Sequence, residues 1–365
     1  MYFAPMVRLQ QLSLVQFRNY IQKQFVFTDR IVGIVGPNGT GKTNVLDAVY
    51  YLSFTKSYFN RADAQNVHHA YQGLRVEGHY EMNGTAVPIT CILRENLKKE
   101  FYFDQEPYSK LSQHIGKIPC VMIAPDDVQI ITGSSEERRR LMDSLLSQMH
   151  PAYLKHLIHY NKIVVQRNSL LKQAGETGVL DPLLLETLNE QLVEHGQIIF
   201  EFRTQLIAQY LPAILALYQH LAGQNDQINI QYQSQLKQQP FTELLKQSLA
   251  KDKVLQRTNT GIHKDDLIIT IQGQPFKQEA SQGQRKSLLF AIRLAEWQLI
   301  KENKGFAPIL LMDDIFEKLD EQRMIQLLGW VSHSTDGQVF ITDTHKERVA
   351  DLLGKHLDSY QLIEL

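Results

Sequence analysis

Two kinds of hydrophobic spacing divide this chain into strand-forming and helix-forming regions. Near the N-terminus, Leu12 and Leu14 alternate with polar neighbours, and residues 31–35 form a short apolar run typical of a buried strand. Residues 73–104 also alternate and contain an Asn-Gly pair at 83–84, which is a strong hairpin signal. We therefore expect an antiparallel β subdomain in the N-terminal third of the chain.

The spacing becomes helical after about residue 125, and few strand signals occur from 130 to 225. The predicted helical stretches are 136–149, 152–174 and 181–222. Pro212 lies inside the third stretch and should end or kink that helix, because proline lacks a backbone N–H. A glutamine-rich segment over 224–247 is expected to be a loosely ordered connection.

Strand signals return near the C-terminus. The candidate strands are 267–271, 309–312 and 339–341. A helix predicted near 321–332 separates the last two, and strand–helix–strand alternation implies a parallel sheet. The pattern predicts an α/β domain formed by residues 1–125 and 255–365, with an inserted helical lobe at 126–254. The helix after residue 281 is compatible with either the α/β domain or the helical lobe.

A phosphate-binding loop follows the apolar run at 31–35. Residues 36–43 read G-P-N-G-T-G-K-T and fit G-x-x-x-x-G-K-[ST] at every fixed position, between an apolar strand and an apolar helix. The glycines let backbone N–H groups approach phosphates, Lys42 would reach the β- and γ-phosphates, and the Thr43 hydroxyl would bind Mg²⁺. The expected nucleotide contacts are Gly36, Pro37, Asn38, Gly39, Thr40, Gly41, Lys42, Thr43 and Asn44.

Two carboxylates end the apolar run at 309–312. In a phosphate-loop fold we expect this strand beside the phosphate-loop strand, so that Asp313 holds Mg²⁺ directly or through water. Asp314 would orient or deprotonate the attacking water. The alternative is that both acids only cap a turn. Asp313 follows Lys42 by 271 residues (313 − 42), which argues against a nucleoside kinase.

A second turn suited to an anion, Ser281-Gln282-Gly283-Gln284, precedes an amphipathic helix. An ordinary helix cap is the alternative interpretation. The order of phosphate loop, anion turn and acidic strand resembles the ABC-type ATPases, and this resemblance implies ATP and a P-loop ATPase head with a mixed sheet. In that family two subunits dock head to tail, and each anion turn caps the γ-phosphate on the other. The resemblance thus implies an ATP-dependent homodimer, with Asp320 as the D-loop aspartate and His345 as a γ-phosphate sensor.

Further motifs narrow the resemblance. They are L-S-L-V-Q-F-R-N-Y at 12–20, A-P-D-D-V at 124–128, E-R-R-R-L-M-D at 137–143 and G-I-H-K-D-D-L at 261–267. From residue 7 to about 350 the chain resembles the RecF family of chromosome-maintenance-like repair ATPases. The resemblance implies a weak, DNA-stimulated ATPase that binds double-stranded DNA and single-strand/double-strand junctions without sequence specificity. It also implies RecR and RecO as partners in loading RecA.

Charge bears on where DNA could bind. The chain has 365 residues, a formal net charge of −1 and a pI near 6.9, so basic residues must be concentrated locally. Between Arg138 and Lys172 there are seven basic residues and one acidic residue. A solvated helix face is the alternative interpretation. The expected phosphate contacts are Arg138, Arg139, Arg140, Lys155, Lys162 and Arg167.

Other features limit the class of protein. Cys91 and Cys120 lack metal-ligand spacing and are expected to be buried in a reducing compartment. Neither a secretion signal nor a membrane-spanning apolar run is evident, so a cytoplasmic protein without a membrane partner is expected. The rival hypotheses are a transporter ATPase subunit, another chromosome-maintenance-like clamp ATPase, a non-hydrolysing DNA binder and an ATPase–nuclease.

Overall fold

The computed structural model describes six segments of the chain: residues 7–60, 62–223, 226–314, 321–334, 336–357 and 359–365. Fourteen strands fall within these segments. They are β1 (Val7–Phe17), β2 (Tyr20–Val26), β3 (Ile31–Val35), β4 (Leu74–Met82), β5 (Thr85–Leu93), β6 (Lys99–Phe103), β7 (Glu106–Pro107), β8 (Cys120–Ile123), β9 (Ile228–Gln233), β10 (Asp266–Ile271), β11 (Gln274–Pro275), β12 (Ile309–Met312), β13 (Val339–Asp343) and β14 (Gln361–Glu364).

Helices dominate the middle of the chain, which confirms the helical spacing. Ten α-helices fall within the same segments. They are α1 (Lys42–Phe54), α2 (Gln129–Thr132), α3 (Ser135–Met149), α4 (Pro151–Thr177), α5 (Pro182–Ala222), α6 (Phe241–Leu255), α7 (Phe276–Glu279), α8 (Gln282–Lys304), α9 (Glu321–Ser334) and α10 (Lys346–His356). Of those described, no helix has the length and apolar composition that crossing a bilayer requires.

The chain folds as two compact units. The first contains the residues up to Asp127, together with Ala216–Gln224 and Gln282–Leu365. The second contains Val128–Leu215 and Asn225–Ser281. The last turns of α5 therefore belong to the first unit, and the rest of that helix belongs to the second.

The second unit extends past residue 254, where the predicted lobe ended. The sequence pattern placed the strand at 267–271 in the α/β domain, but β10 belongs to the second unit, where it pairs with β9 and β11 in a separate antiparallel sheet. The prediction of a loose connection over 224–247 is also wrong, because this segment contains β9 and the start of α6. In β9, buried Ile230 and Tyr232 alternate with exposed polar residues, which is the pattern of a half-buried strand.

Two sheets form the frame of the first unit, and they confirm the predicted α/β class with an antiparallel N-terminal subdomain. The antiparallel sheet has the order β2-β1-β4-β5-β6-β7, and the parallel sheet has the order β14-β3-β13-β12-β8. The expectation that the acidic strand lies next to the phosphate-loop strand is wrong. Strand β13 pairs with both β3 and β12 and lies between them. The carboxyl ends of all three strands still meet at one edge of the sheet.

Helix α1 is the centre of the first unit's core. Its buried residues surround the helix, so it is covered on nearly all sides rather than on one face. Gly78 of β4 allows this close packing, because an added Cβ there would come within 2.7 Å of the Leu52 side chain. The phosphate-loop helix is therefore held on a rigid base. Cys91 and Cys120 lie buried in the same core, as the sequence predicted.

A buried charge network organises the second unit. Arg203 of α5 is almost fully buried, and its guanidinium donates to Asp143 of α3 and to Asp265 at 2.7 Å each. The Tyr232 hydroxyl of β9 donates to the same Asp265 carboxylate at 2.6 Å. These bonds satisfy a buried arginine, which would otherwise cost several kcal/mol. They tie helices α3 and α5 to the β9–β10 sheet.

The sequence predicted that Pro212 would end or kink the helix, and of these two outcomes the end does not occur, because α5 continues through Pro212. Proline removes one backbone hydrogen bond from the helix. However, Tyr210 and Ile214 on either side are buried, and packing of this kind supplies most helix stability in proteins. Tertiary contacts therefore outweigh the local penalty.

His114 makes stability in acid depend on pH. Its Nε2 donates to the Leu52 carbonyl oxygen at 2.6 Å, and burial lowers the pKa of His114 from 6.5 to about 4. The unfolded chain therefore takes up a proton at a pH where the folded chain does not. We expect the free energy of unfolding to fall by about 3 kcal/mol on this account as the pH drops from 6.5 to 4. Urea unfolding at pH 7.5 and 4.5 measures this. His114→Gln should lose less stability over that interval than the wild type, and equal losses would contradict the assignment.

Candidate functional site

The phosphate loop joins β3 to α1 with a backbone that requires glycine. Gly36 has a φ of 153°, and an added Cβ would lie 2.5 Å from the backbone oxygen of Leu365. Gly41 caps α1 with a φ of 108°, in the region that side chains disfavour. The Val45 N–H donates to the Gly41 oxygen at 3.1 Å and starts the helix. The loop therefore ends at a helix N-terminus, where backbone N–H groups attract anions.

Lys42 is folded back into this loop. Its ammonium is buried and donates to the carbonyl oxygens of Gly36 at 2.8 Å and Pro37 at 3.0 Å. These bonds hold the positive charge inside the loop rather than in solvent. Phosphate oxygens could replace the carbonyl oxygens as acceptors without moving the charge far.

Two residues that the sequence gave no structural role support the loop from outside. The Asn19 amide donates to the Thr40 carbonyl oxygen at 2.9 Å, and the Tyr20 hydroxyl donates to the Gly41 carbonyl oxygen at 3.2 Å. The Asn44 amide in turn donates to Asn19 at 2.7 Å. Both supporting residues belong to the F-R-N-Y motif, which carried only the family resemblance. Their contacts give that motif a physical purpose, which is to fix the shape of the phosphate loop.

Thr43 and Asp313 are brought together across the sheet edge. The Thr43 hydroxyl lies 2.9 and 3.0 Å from the two carboxylate oxygens of Asp313, and the Thr342 hydroxyl donates to the same carboxylate at 2.8 Å. Burial, followed by the charge of Asp314, raises the pKa of Asp313 to about 6, although the two hydroxyls and Lys42 act in the opposite direction. A cation beside this carboxylate would favour its charged form.

These residues fit Mg²⁺. A hydroxyl and a carboxylate are oxygen ligands of the kind this ion prefers, and it commonly keeps waters and substrate phosphates as its other ligands. In the described segments, no group of three or more histidine, cysteine or acidic side chains is arranged to hold a metal by itself. Thr43 and Asp313 would therefore hold the ion only together with the phosphates of a nucleotide.

Asp314 stands at the carboxyl end of β12 in an unusual conformation. Its φ is 44°, and its backbone N–H donates to the Thr342 hydroxyl at 2.9 Å. A non-glycine residue in this region is strained and needs support from its surroundings. The Thr342 hydroxyl provides that support and links Asp314 to Asp313. This geometry is compatible with a carboxylate held beside the terminal phosphate.

The family resemblance assigned two further residues to the nucleotide site, and the structure describes only one of them. His345 is exposed at the start of α10. Its backbone N–H donates to the buried Asp343 carboxylate at 2.7 Å. Arg348 of α10 also donates to that carboxylate. Asp343 and Arg348, which the sequence analysis did not single out, thus fix the position of His345. Asp320 lies outside the described residues.

The anion turn leads directly into α8. Ser281 is the last residue of the second unit, and Gln282, Gly283 and Gln284 form the first turn of the helix. An added Cβ on Gly283 would lie 2.6 Å from the Arg323 guanidinium of α9. Arg323 therefore packs against the turn and adds a positive charge there, which the sequence pattern did not indicate. The expected apolar face of α8 is buried: Leu288, Leu289, Ile292, Ala295 and Leu299.

A buried polar cluster connects α8 to the end of the phosphate-loop helix. Arg293 of α8 donates to Glu296 at 2.8 Å and to the Tyr58 hydroxyl at 2.6 Å, and it lies 3.0 Å from Asp127. The Tyr58 hydroxyl also donates to Asp127. The backbone N–H of Tyr58 donates at 2.7 Å to Asp47 of α1. The helix that follows the anion turn and the helix that follows the phosphate loop are thus parts of one packed network.

The expected DNA contact at Arg167 is wrong. Its side chain is fully buried, and its guanidinium lies 2.8 Å from the equally buried Asp252. Arg138 is also committed to the fold, because it donates to both carboxylate oxygens of Asp266 at 2.6 and 3.0 Å. Arg139 donates at 2.7 Å to the backbone oxygen of Asp265. The basic residues that the sequence analysis grouped together therefore include residues that hold the fold together as well as residues on the surface.

The remaining three basic candidates stay on the surface. Lys155 and Lys162 of α4 are exposed. Arg140 is also exposed, and among the residues that the structure describes it pairs with its helical neighbours Glu136 and Glu137. Such surface pairs contribute little and are easily exchanged for other partners. These three side chains remain available to a phosphate backbone.

Curated relatives align over nearly their full length. A protein from Flavobacterium johnsoniae named DNA replication and repair protein RecF is 40% identical over 98% of this chain and 100% of its own. The protein of the same name from Bacteroides fragilis (strain ATCC 25285) is 38% identical over 98% of this chain and 96% of its own. Both names refer to one kind of protein.

Solved structures agree in fold. The recombination mediator protein RecF with ATP in the RecFOR pathway aligns with a TM-score of 0.87 at 25% identity, over 94% of both chains. An Smc head domain from Pyrococcus furiosus aligns with a TM-score of 0.57 at 15% identity, over 98% of this chain and 93% of that chain. A family model described as the RecF/RecN/SMC N terminal domain matches residues 8–359. The chain therefore belongs to the RecF/RecN/SMC family and, within it, to the RecF proteins.

Proposed function

We propose that this protein is a DNA-repair ATPase that binds ATP with Mg²⁺, dimerises head to tail on DNA and hydrolyses ATP slowly. The observation that carries the proposal is the contact between the Thr43 hydroxyl and the Asp313 carboxylate, at 2.9 and 3.0 Å. This pair stands at the end of a phosphate loop that already holds a buried lysine. The arrangement supports the binding of a nucleotide triphosphate together with a divalent cation.

Each residue of this site has a distinct role in the proposal. Backbone N–H groups from Gly36 to Asn44 and the Lys42 ammonium bind the phosphates. Thr43 and Asp313 hold Mg²⁺, which when bound supplies a Lewis acid at the phosphate oxygens. Asp314 orients the attacking water or accepts its proton. His345, exposed at the start of α10, contacts the terminal phosphate.

The proposed dimerisation uses the anion turn at residues 281–284. The turn combines a serine, a glycine and the first backbone N–H groups of α8, and Arg323 adds positive charge beside Gly283. These groups can bind the terminal phosphate of a nucleotide held by a second copy, with Asp320 at the same junction. ADP lacks that phosphate, so hydrolysis releases the partner.

DNA binding is proposed to use phosphate contacts rather than base recognition. Arg140, Lys155 and Lys162 are exposed and suited to such contacts. The similar solved structure is that of a recombination mediator in the RecFOR pathway. From the family resemblance we propose that this protein acts on double-stranded DNA and its junctions with single strands, with RecR and RecO, to assist RecA in the cytoplasm. DNA is expected to stimulate hydrolysis by favouring the dimer.

Light scattering tests the central step of this proposal. The mass in solution is measured with ATP and Mg²⁺, with ADP and Mg²⁺, and with each plus double-stranded DNA. We expect a dimer with ATP and a monomer with ADP, and DNA should increase the dimer fraction. A protein whose mass is the same with ATP and ADP would contradict nucleotide-gated dimerisation.

Asp314→Asn separates hydrolysis from binding. We expect phosphate release to slow by about 100-fold, because the amide cannot accept a proton, while ATP binding and dimerisation persist. A single-turnover phosphate-release assay measures the rate, with Asp351→Asn as a control that removes an exposed carboxylate from α10. Wild-type turnover in Asp314→Asn would exclude Asp314 as the water-activating group and leave the nucleotide site intact.

A further inference from the structure

Four cations converge on one part of the second unit. Lys264 lies in a short helical turn, Ile262–Lys264, just before β10. Burial lowers the pKa of Lys264, and the positive charges of Arg257, Arg139 and Lys251 lower it further. Arg139, Lys251, Arg257 and Lys264 are called the Lys264 cluster below. Three of them are exposed, and Arg139 is half-buried.

The carboxylate of Asp252 favours the charged form of Lys264. It is fully buried and already occupied, because it accepts from Arg167 at 2.8 Å and from the N–H and side-chain amide of Asn259 at 3.0 and 2.9 Å. Within the described segments, Lys251, Arg257 and Lys264 make no ion pair. The positive charge of the Lys264 cluster is therefore not balanced by a nearby carboxylate that is free to move towards it.

The segment that carries Arg257 and Lys264, between α6 and β10, is firmly anchored. Arg167 donates to the Thr258 hydroxyl at 2.8 Å, and Asn168 accepts from the Thr258 N–H at 2.7 Å. His263 bonds the Thr258 carbonyl oxygen at 3.1 Å and the Tyr160 hydroxyl at 2.8 Å. Burial lowers the pKa of His263 to about 4, so it is neutral at pH 7 and acts as a support.

On the other side, Arg139 donates at 2.7 Å to the backbone oxygen of Asp265, the residue after Lys264. This fixed contact holds Arg139 close to Lys264, although like charges repel one another. The acids near this surface are already paired with other arginines. A surface that holds exposed cations close together in this way is suited to a partner with closely spaced negative charges. Exposed lysine and arginine side chains commonly contact phosphate groups, and such contacts carry no sequence information.

We propose that the Lys264 cluster is a contact site for the phosphate backbone of double-stranded DNA. This inference rests on the DNA binding proposed above, and it adds a site to exposed Arg140, Lys155 and Lys162. It also gives Arg167 a new role. Arg167 does not touch DNA; it positions the loop from which Arg257 and Lys264 reach the phosphates.

Fluorescence anisotropy with a labelled duplex, in ATP and Mg²⁺, tests the site through the double variant Arg257→Gln with Lys264→Gln. The matched control is Lys246→Gln with Lys253→Gln, which removes the same charge from exposed positions of α6. Losing two phosphate contacts should weaken DNA binding roughly 10- to 100-fold and reduce the slope of log K against log salt by about 2. The control should bind DNA like the wild type.

The other measurements separate the possible failures. The double variant should bind ATP like the wild type and melt no lower, because its substitutions relieve repulsion between like charges. If wild type binds DNA and the double variant matches the control in affinity and slope, the Lys264 cluster is not a DNA site, although the proposed function stands. Loss of ATP affinity would assign the cluster to the nucleotide and overturn the inference. If the wild type itself does not bind duplex DNA, both proposals fail on this point.

Discussion

Lys42→Ala is expected to weaken ATP binding by at least about 100-fold. The buried ammonium makes two hydrogen bonds in the phosphate loop, at 2.8 and 3.0 Å, and phosphate oxygens would take their place. Charge-assisted hydrogen bonds contribute about 1.5–3 kcal/mol each, and about 1.4 kcal/mol corresponds to a factor of ten in affinity. Titration of a fluorescent ATP analogue measures the change, and the ATP-dependent dimer should disappear with it.

Lys23→Ala is the matched control, because it removes an exposed lysine from β2. This control should bind ATP like the wild type. Since Lys42 also bonds the loop's own carbonyl oxygens, melting curves are needed to show that the alanine variant is folded. A folded Lys42→Ala protein with wild-type ATP affinity would mean that this loop is not the nucleotide site.

Local signals were sufficient for the long helices, for the antiparallel N-terminal strands and for the phosphate loop. The Asn-Gly hairpin between β4 and β5 forms because Asn83 and Gly84 take the positive φ values, 53° and 79°, that such turns need. The phosphate loop is similarly encoded within eight residues, since its glycines and Lys42 act on the backbone next to them. Features of this kind depend on neighbours in sequence, and a single sequence displays them.

Sheet order could not be predicted in the same way. Strand β13 follows β12 along the chain yet lies between β12 and β3, and no local pattern distinguishes this arrangement from the expected one. The sequence nevertheless identified Asp313, because every parallel strand delivers its carboxyl end to the same edge. The support from Thr342 was missed, since a threonine near a strand end is common and becomes informative only when the strands are placed.

Buried charged residues were the main source of error in the predicted DNA contacts. Arg167 lies in a helical stretch whose other basic residues, Lys155 and Lys162, are exposed, and the spacing alone does not separate them. Its partner Asp252 is 85 residues away in sequence. Charged residues are fully buried only when they are paired, and such long-range pairs cannot be read from one sequence.

Ser281→Arg is expected to abolish the ATP-dependent dimer while leaving ATP binding by the monomer intact. The substitution puts a long charged side chain into the turn that would receive the partner's terminal phosphate, next to Arg323 beside Gly283. A large side chain keeps the two surfaces apart, and its charge adds to a positive site. We expect the dimer affinity to fall by about 100-fold or more, as for a disrupted interface centre. Light scattering with ATP and Mg²⁺ measures the dimer, and analogue titration measures the nucleotide.

Gln274→Arg is the control, because it adds the same side chain at an exposed position of β11. It should dimerise normally. Ser281→Arg and Lys42→Ala should then both remain monomeric for different reasons, one with ATP bound and the other without it. If Ser281→Arg dimerises as well as Gln274→Arg, the turn at 281–284 serves only to begin α8. The nucleotide site would stand in that case, but a second copy would have to recognise the terminal phosphate with other residues.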